Sequence, residues 1–511
     1  MNKKFYNDKQ DLPAKPWQAG SQINEDSFGP SDGGAKISSR NFYITTTLPY
    51  VNDKPHMGHA LEFVQADILA RYHQLIGDEV VFNVGTDEHG LKIYRKAQEQ
   101  GKDIQAYVDE YAAKFQALKS TLNLSYTNFI RTTDPHHKAG AQEFWRRCLK
   151  NGDIYKSKYQ VKYCVGCELE KTESELENGK CPIHPNLTIE NVDEENYFFR
   201  WSKYQKPLLD LYAAQPDFVV PDFRFNEIKK FVEGGLQDFS ISRLKSKMPW
   251  GVAVPDDENQ VMYVWFDALT NYITTLGWPE NQGNFNAFWP GVQIAGKDNL
   301  RQQSAMWQAM LLSAGLKPSK QIIIHGFITS GGQKMSKSLG NTVDPLDVVA
   351  KYGTEAFRYW VAKEANTFED SDFTLEKFKD SYNGGLANGL GNLVSRIMKM
   401  ATTNLSEAVV VPPDTIPDSF KAALDTFNIK KAADIVWEEI ASIDSYIQKT
   451  EPFKLLKTDK PRAIEIIKEL VTRLYAVGRM LNPILPETSE TIKNLVKQNK
   501  MPDKPLFLRV D

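Results

Sequence analysis

Three clusters of side chains could do chemistry. Lys334-Met335-Ser336-Lys337-Ser338 sets two cations and two hydroxyls within five residues, flanked by Gly331, Gly332 and Gly340. A loop of this kind can close over a polyphosphate. It neutralises charge only in one closed position, so its contribution can be concentrated in a transition state. About 275 residues upstream, His56-Met57-Gly58-His59 holds two imidazoles either side of a glycine. Between them, Cys164-x-x-Cys167 and Cys181-x-x-His184 form two ligand pairs, each across a tight turn. Two such pairs can wrap one tetrahedral Zn²⁺, and with all four positions filled the site would be structural. Three of the four cysteines fall in this cluster, which favours metal over disulfides in a chain without an export signal. Cys148, in the helical run Phe144–Leu149, reads as a packed thiol.

These residues need elements to hold them. Residues 41–47 are aromatic and β-branched and read as a strand. A loop over 48–54 follows, and Pro55 suits the first turn of a helix. Leu61, Val64, Ile68, Leu69, Tyr72 and Leu75 continue at helical spacing up to Gly77, a C-terminal cap. Both histidines then lie at a strand–loop–helix junction, a ready anion site. Gly58 would let a flat base approach the backbone. The strand over 80–84 ends in Gly85-Thr86-Asp87-Glu88-His89-Gly90, which sets the Asp87 carboxylate where ligands bind in open α/β sheets. In Tyr263–Tyr272, Trp265 and Tyr272 could wall an apolar slot, with Asp267 capping a helix start. After the strand-like 292–295, Gly296-Lys297-Asp298 suits ribose hydroxyls. Beyond about residue 382, strand-like alternation gives way to long helical patterns such as Ile464, Ile467, Leu470, Val471 and Leu474, and a helical bundle is expected.

The chain of 511 residues is 41% hydrophobic and 25% charged, an ordinary globular composition with room for about three domains. No run of ~18 apolar residues suggests a membrane span. The first 15 residues lack a signal peptide's apolar core, so a cytoplasmic location is expected. The net charge of −3 averages over the chain and leaves room for a local basic stripe. Turn formers fill much of 1–39, where little regular structure is expected.

Residues 334–338 resemble the KMSKS signature of the class I aminoacyl-tRNA synthetases, and residues 56–59 look like their HIGH motif. The resemblance implies Rossmann topology and ATP, with Mg²⁺, bound near His56, Gly58, His59, Gly296, Asp298, Lys334, Ser336 and Lys337. Further strings are similar to the methionyl branch: Gly85–Gly90, Glu194–Arg200 after the zinc knuckle, Asp238–Arg243, Tyr263–Tyr272 and Leu386–Arg396. By that resemblance Asp87 holds the substrate ammonium and Arg243 helps position substrate. Leu48, Tyr50, Trp265, Ala268, Leu269 and Tyr272 line a methionine pocket, with Asn299 and Gln303 at positions that also line the amino-acid side chain. Asn392 and Arg396 reach anticodon bases, and Phe453 stands where relatives stack a tryptophan.

The chain also departs from that branch. Leu91 replaces a usual glutamine, Asn299 an aliphatic residue, and Gln303 a histidine, although Gln303 could still donate a hydrogen bond toward sulfur. The segment 153–242 is too short for the hydrolytic editing domain of leucyl, isoleucyl and valyl relatives. The C-terminus shows no appended tRNA-binding, dimerising domain, so a monomer is expected. The expected architecture is α/β. A polar extension (1–39) precedes a Rossmann catalytic domain in two halves (40–152 and 243–325) around a zinc-knuckle insertion (153–242). The KMSKS loop with a connecting subdomain (326–380) and a helical anticodon-binding domain (381–511) follow. The implied activity is ATP-dependent activation of L-methionine to methionyl-adenylate and its transfer to the terminal ribose of tRNA(Met). A class I synthetase for another apolar amino acid and a non-catalytic tRNA-binding paralogue remain open at this point.

Overall fold

The computed structural model describes residues 40–510 apart from 168, 172, 336–342 and 413–415. The reading of 1–39 therefore lies outside the described residues, as do Ser336, Lys337 and Ser338.

In chain order the core strands are β1 (Asn41–Thr46), β2 (Glu79–Thr86), β3 (Asn128–Arg131), β4 (Val219–Val220), β5 (Val292–Gly296) and β6 (Gln321–His325). They form one six-stranded sheet in the order β3-β2-β1-β5-β6-β4, every neighbouring pair parallel. Ile44 in β1 faces Phe82 on one side and Val292 on the other. Runs such as Ile322, Ile323 and Ile324 are buried without alternation, as expected of parallel strands covered on both faces. The chain winds from β1 through β2 to β3 on one side, then builds β5 and β6 on the other. The strand order thus reverses between β1 and β5. Crevices beyond the carboxyl ends at such a reversal are where open α/β sheets bind ligands.

The helix after β1, α1 (Met57–Leu75), is buried on nearly all sides through Ala60, Leu61, Phe63, Val64, Ile68 and Leu69. It starts later than the sequence predicts. His56, with extended backbone, is the capping residue, and Pro55 precedes it. The reason is hydrogen bonding: the His56 ring satisfies one of the helix's unpaired first N–H groups. The far end closes as expected. Gly77 takes φ +93°, its N–H bonds to the Gln74 carbonyl, and that of Asp78 bonds to the His73 carbonyl.

Two antiparallel strands, Ile154–Cys164 and Glu190–Phe199, lead out of the catalytic region and back. The cysteine cluster lies between them. Beyond β6 come the helices Pro345–Tyr352 and Thr354–Tyr359, then the bundle: Asn392–Asn404, Ile429–Thr450, α2 (Lys460–Met480) and Pro486–Gln498. Helical winding widens to the π form at Gln302–Met306, Trp360–Glu364 and Tyr382–Gly391. Buried side chains of β1, α1 and the bundle share one continuous apolar cluster. Among the described residues no helix is long and apolar enough to cross a membrane.

Candidate active site

The head of α1 is a locally wired unit. Nδ1 of His56 accepts from the Gly58 N–H at 3.1 Å, and Nδ1 of His59 accepts from the His56 N–H at 3.3 Å. The rings stack with centroids 3.6 Å apart, and His59 meets Phe115 edge-on. A Cβ at Gly58 would lie 3.0 Å from Cε1 of His56, so the glycine is what allows that ring to fold back over the helix. Burial, and then the neighbouring His56, push the His59 pKa well below the imidazole range. His59 is therefore a neutral ring at pH 7. With Nδ1 used as an acceptor, its proton sits on Nε2, facing away from the backbone.

A second polar group crosses the reversal point, and the sequence reading missed it. Glu62, on the second turn of α1, accepts from the Thr47 N–H at 2.7 Å and the Thr47 hydroxyl at 2.5 Å. Its other oxygen meets Nε2 of His325 at 2.9 Å, and His325 Nδ1 donates to the Gly326 carbonyl. Burial alone would lower the His325 pKa, but the Glu62 carboxylate raises it above the usual value. The three residues tie the ends of β1 and β6 to α1. Glu62 and His325 are 263 positions apart, so spacing carried no signal.

Asp87 is buried just past β2 and held by backbone bonds across the neighbouring loop. Its N–H donates to the Pro49 carbonyl at 2.9 Å, and Val51 N–H donates to its carbonyl at 3.2 Å. This bridging brings Tyr50 beside it. Tyr50 meets Trp265 edge to face at 6.2 Å. Leu48 and Trp265 are half-buried, while Ala268, Leu269 and Tyr272 are buried. The Tyr272 hydroxyl accepts from Nε2 of Gln303 at 2.6 Å, and its ring packs edge-on against Trp307. Gln303 thus gives one of its two amide N–H donors to Tyr272. The phenol proton of Tyr272 is left to point elsewhere, and burial keeps it on the oxygen by raising the pKa.

One further expectation changes, and the surroundings of other site residues gain detail. Asp267 does not cap its helix, Val264–Ala268, which starts from Tyr263. The buried Asp267 carboxylate holds two buried histidines, His89 at 2.8 Å and His137 at 3.1 Å. Asn299 lies on the turn after β5, half-buried, and donates to Asp298 at 3.4 Å; Gln303 is directed instead to Tyr272. Arg243 is buried between the rings of Tyr163 and Tyr263 and donates to Ser240 and the Ser242 carbonyl. A Cβ on Gly296 would come within 2.8 Å of the Asp298 carboxylate, so a larger residue there would require that side chain to shift. Gln333 and Lys334 form a short strand paired antiparallel with Ile328–Ser330.

The metal-type cluster is assembled. The ligand atoms of Cys164, Cys167, Cys181 and His184 all lie within 4.8 Å of one another. Cys167 Sγ is 3.5 Å from Cys181 Sγ and 3.2 Å from His184 Nδ1, and Cys164 Sγ is 3.9 Å from that nitrogen. A tetrahedron of ~2.3 Å Zn–S bonds has edges of about 3.8 Å, so the donor set fits zinc. None of the cysteines is in a disulfide. Gly166 again makes room: a Cβ there would strike the His184 ring at 2.5 Å. Cys148 is buried apart from the cluster, its thiol pushed up to about 12 by burial.

In the bundle, Asn392 and Arg396 share one face of their helix, and Arg396 pairs with Asp444. Phe453, at the start of the helix Pro452–Thr458, is 51% exposed, unusual for a phenylalanine and suited to stacking.

Residues 42–398 match the family profile of the class I tRNA synthetases (M). The chain belongs to the class I aminoacyl-tRNA synthetases. The methionine--tRNA ligase of Thermosynechococcus vestitus is 44% identical over 476 residues, which cover 89% of each chain. That of Thermotoga maritima is 40% identical over 482 residues, covering 91% of this chain and 76% of its own. The structure of Mycobacterium tuberculosis methionyl-tRNA synthetase in complex with methionyl-adenylate superposes with a TM-score of 0.84 at 33% identity, covering 92% of this chain and all of that one. Within the class, the branch is the methionyl one.

Proposed function

We propose that this protein is a methionine--tRNA ligase, which activates methionine with ATP and transfers it to tRNA. The observation that carries the reading is the pair of stacked histidines at the head of α1, facing the reversal point beside the buried Asp87 and the Tyr50–Trp265–Tyr272 pocket.

In the first step the methionine carboxylate attacks the α-phosphate of ATP and pyrophosphate leaves. The protein's part is positioning and charge stabilisation. His56 and His59 would offer hydrogen bonds to phosphate oxygens at a positive helix end. A neutral His59 can donate without carrying a charge that must be buried. Lys334, Ser336 and Lys337 would neutralise the departing phosphates, with Gly296 and Asp298 at the ribose. Mg²⁺ bound with ATP would add positive charge at the phosphates. Asp87 would pair with the substrate ammonium and Arg243 would support the substrate side. Leu48, Tyr50, Trp265, Ala268, Leu269 and Tyr272 would enclose the side chain, an unbranched thioether that packs well on aromatic faces. Asn299 and Gln303 would line the amino-acid side, Gln303 also orienting Tyr272. Zn²⁺ on Cys164, Cys167, Cys181 and His184 would rigidify the insertion.

For transfer, a terminal ribose hydroxyl of tRNA(Met) takes the methionyl group. The bundle from about residue 381 would read the anticodon through Asn392, Arg396 and a base stacked on Phe453. Action as a monomer in the cytoplasm completes the proposal. ATP–pyrophosphate exchange with methionine, leucine and valine tests the whole: methionine should support exchange, and leucine or valine succeeding where methionine fails would sink it. Elemental analysis should find one zinc per chain.

A further inference from the structure

Arg358 lies in the helix Thr354–Tyr359 and is completely buried. Its guanidinium meets four surroundings at once. Nη1 pairs with Asp67 of α1 at 2.7 Å and donates to the Leu122 carbonyl at 3.1 Å. Nε donates to the Ile484 carbonyl and Nη2 to that of Pro483, both at 2.9 Å. Pro483 and Ile484 form the turn between α2 and the helix Pro486–Gln498. Asp67 is itself buried and also holds Arg71 and Ser125. Burial alone would raise its pKa, but Arg358 and then Arg71 bring it below the usual value. The same seam is pinned by Tyr72, which donates to Asp425 at 2.7 Å, and by Glu355, which accepts from the Thr488 N–H at 3.0 Å.

Two long rods meet there. α1 has 19 residues, about 28 Å at 1.5 Å per residue, and meets the seam from Asp67, about 15 Å along the helix from the histidine pair, to Tyr72 near its far end. α2 has 21 residues, about 31 Å, and runs from beside the Phe453 helix to the turn that Arg358 holds. We infer that Arg358 is a positioning residue that registers the bundle against α1, so that occupancy of the bundle's Phe453 end is felt at His56 and His59. The inference rests on the function proposed above. Only a planar fork with five donors can hold a carboxylate and carbonyls on both sides of a seam together; a lysine would keep the charge but lose the span.

Arg358→Lys tests this. It should leave methionine-dependent exchange, measured without tRNA, within ~3-fold of the unmodified enzyme. Charging should fall ~10-fold or more in kcat, with the KM for tRNA within ~2-fold. Phe453→Ala alone should lower charging at least ~10-fold. In the double variant the two losses should not multiply: the effect of Phe453→Ala on the charging kcat should shrink by at least ~5-fold. A merely structural role predicts exchange and charging falling together, with independent losses, and that result overturns the inference. If circular dichroism shows Arg358→Lys unfolded, the same cycle is run with Asp67→Asn, which keeps the side chain's shape, and multiplicative losses there overturn it equally. An unmodified protein without methionine-dependent exchange overturns the parent reading and the coupling with it, whereas a Phe453→Ala variant that charges normally overturns the coupling and the stacking role of Phe453 while the ligase reading stands. Multiplying losses in an active enzyme overturn the coupling alone.

Discussion

The head of α1 follows β1 and the aromatic pocket gathers past the end of β2, but the two are built in opposite ways. At the head, four consecutive residues complete the geometry through bonds to their own backbone. In the pocket, Tyr50 depends on its bridge to Asp87, Tyr272 on Gln303, and the Trp265 segment on Asp267, which is fixed by histidines 178 and 130 positions away. A unit wired locally keeps its shape whatever enters the pocket, so its loss should appear in the rate of chemistry. In the proposed function the aromatic residues hold the amino acid, so their loss should appear in affinity.

The largest expected effect is at the junction of the two. Asp87→Asn should lower kcat/KM for methionine in exchange by ~10²–10³-fold, mostly through KM, because an ammonium would be buried without its partner. A change confined to kcat would place Asp87 with the head. Next, His59→Ala should cost about 10²-fold in kcat with methionine KM within ~2-fold, as expected of a donor that matters in the transition state. An equal rise in methionine KM would break the division between the regions. Gln303→Leu should raise methionine KM by ~10-fold and spare kcat, with Gln303→His restoring most of the loss by again giving Tyr272 a donor. If leucine at 303 is harmless, Tyr272 needs no orienting.

The smallest effect lies in stability against pH, where the head and the Glu62–His325 link have opposite signs. His59 is depressed below an unfolded value of ~6.5, so the stability it permits is present above that pH and lost as pH falls toward its folded value. His325 is raised, so its contribution is present below ~6.5 and lost as pH climbs through its folded value. His59→Gln should flatten the acid side of a Tm–pH curve and Glu62→Gln the alkaline side, each by ~1–2 °C. The same flank responding to both would show that the two rings titrate together.

This contrast also sorts what could be read from the sequence. Residues 56–59 and the two metal-ligand pairs were legible because their partners fall within a few turns of chain, where spacing fixes geometry. The parallel sheet was legible from apolar runs ending in glycine and carboxylate. Asp267 was misread as a cap because a carboxylate in a helix of five residues has no local sign of the distant histidines that claim it. The Gln303–Tyr272 bond was not legible, because composition showed an amide donor but not the phenol that one of its N–H groups meets. Arg358, in a run of mixed residues, gave no signal: its value lies wholly in carbonyls of segments that meet only after folding.

The widened turn at Gln302–Met306 gives this a last consequence. Such a turn holds one residue more than a regular helix needs. Losing one codon there would let the helix tighten and swing Gln303 by about 100° off Tyr272. Every residue type around the amino-acid site would stay the same. Reading-frame-preserving indels in this turn, and not only point substitutions, are therefore a route by which a lineage could drift in the amino acid it accepts.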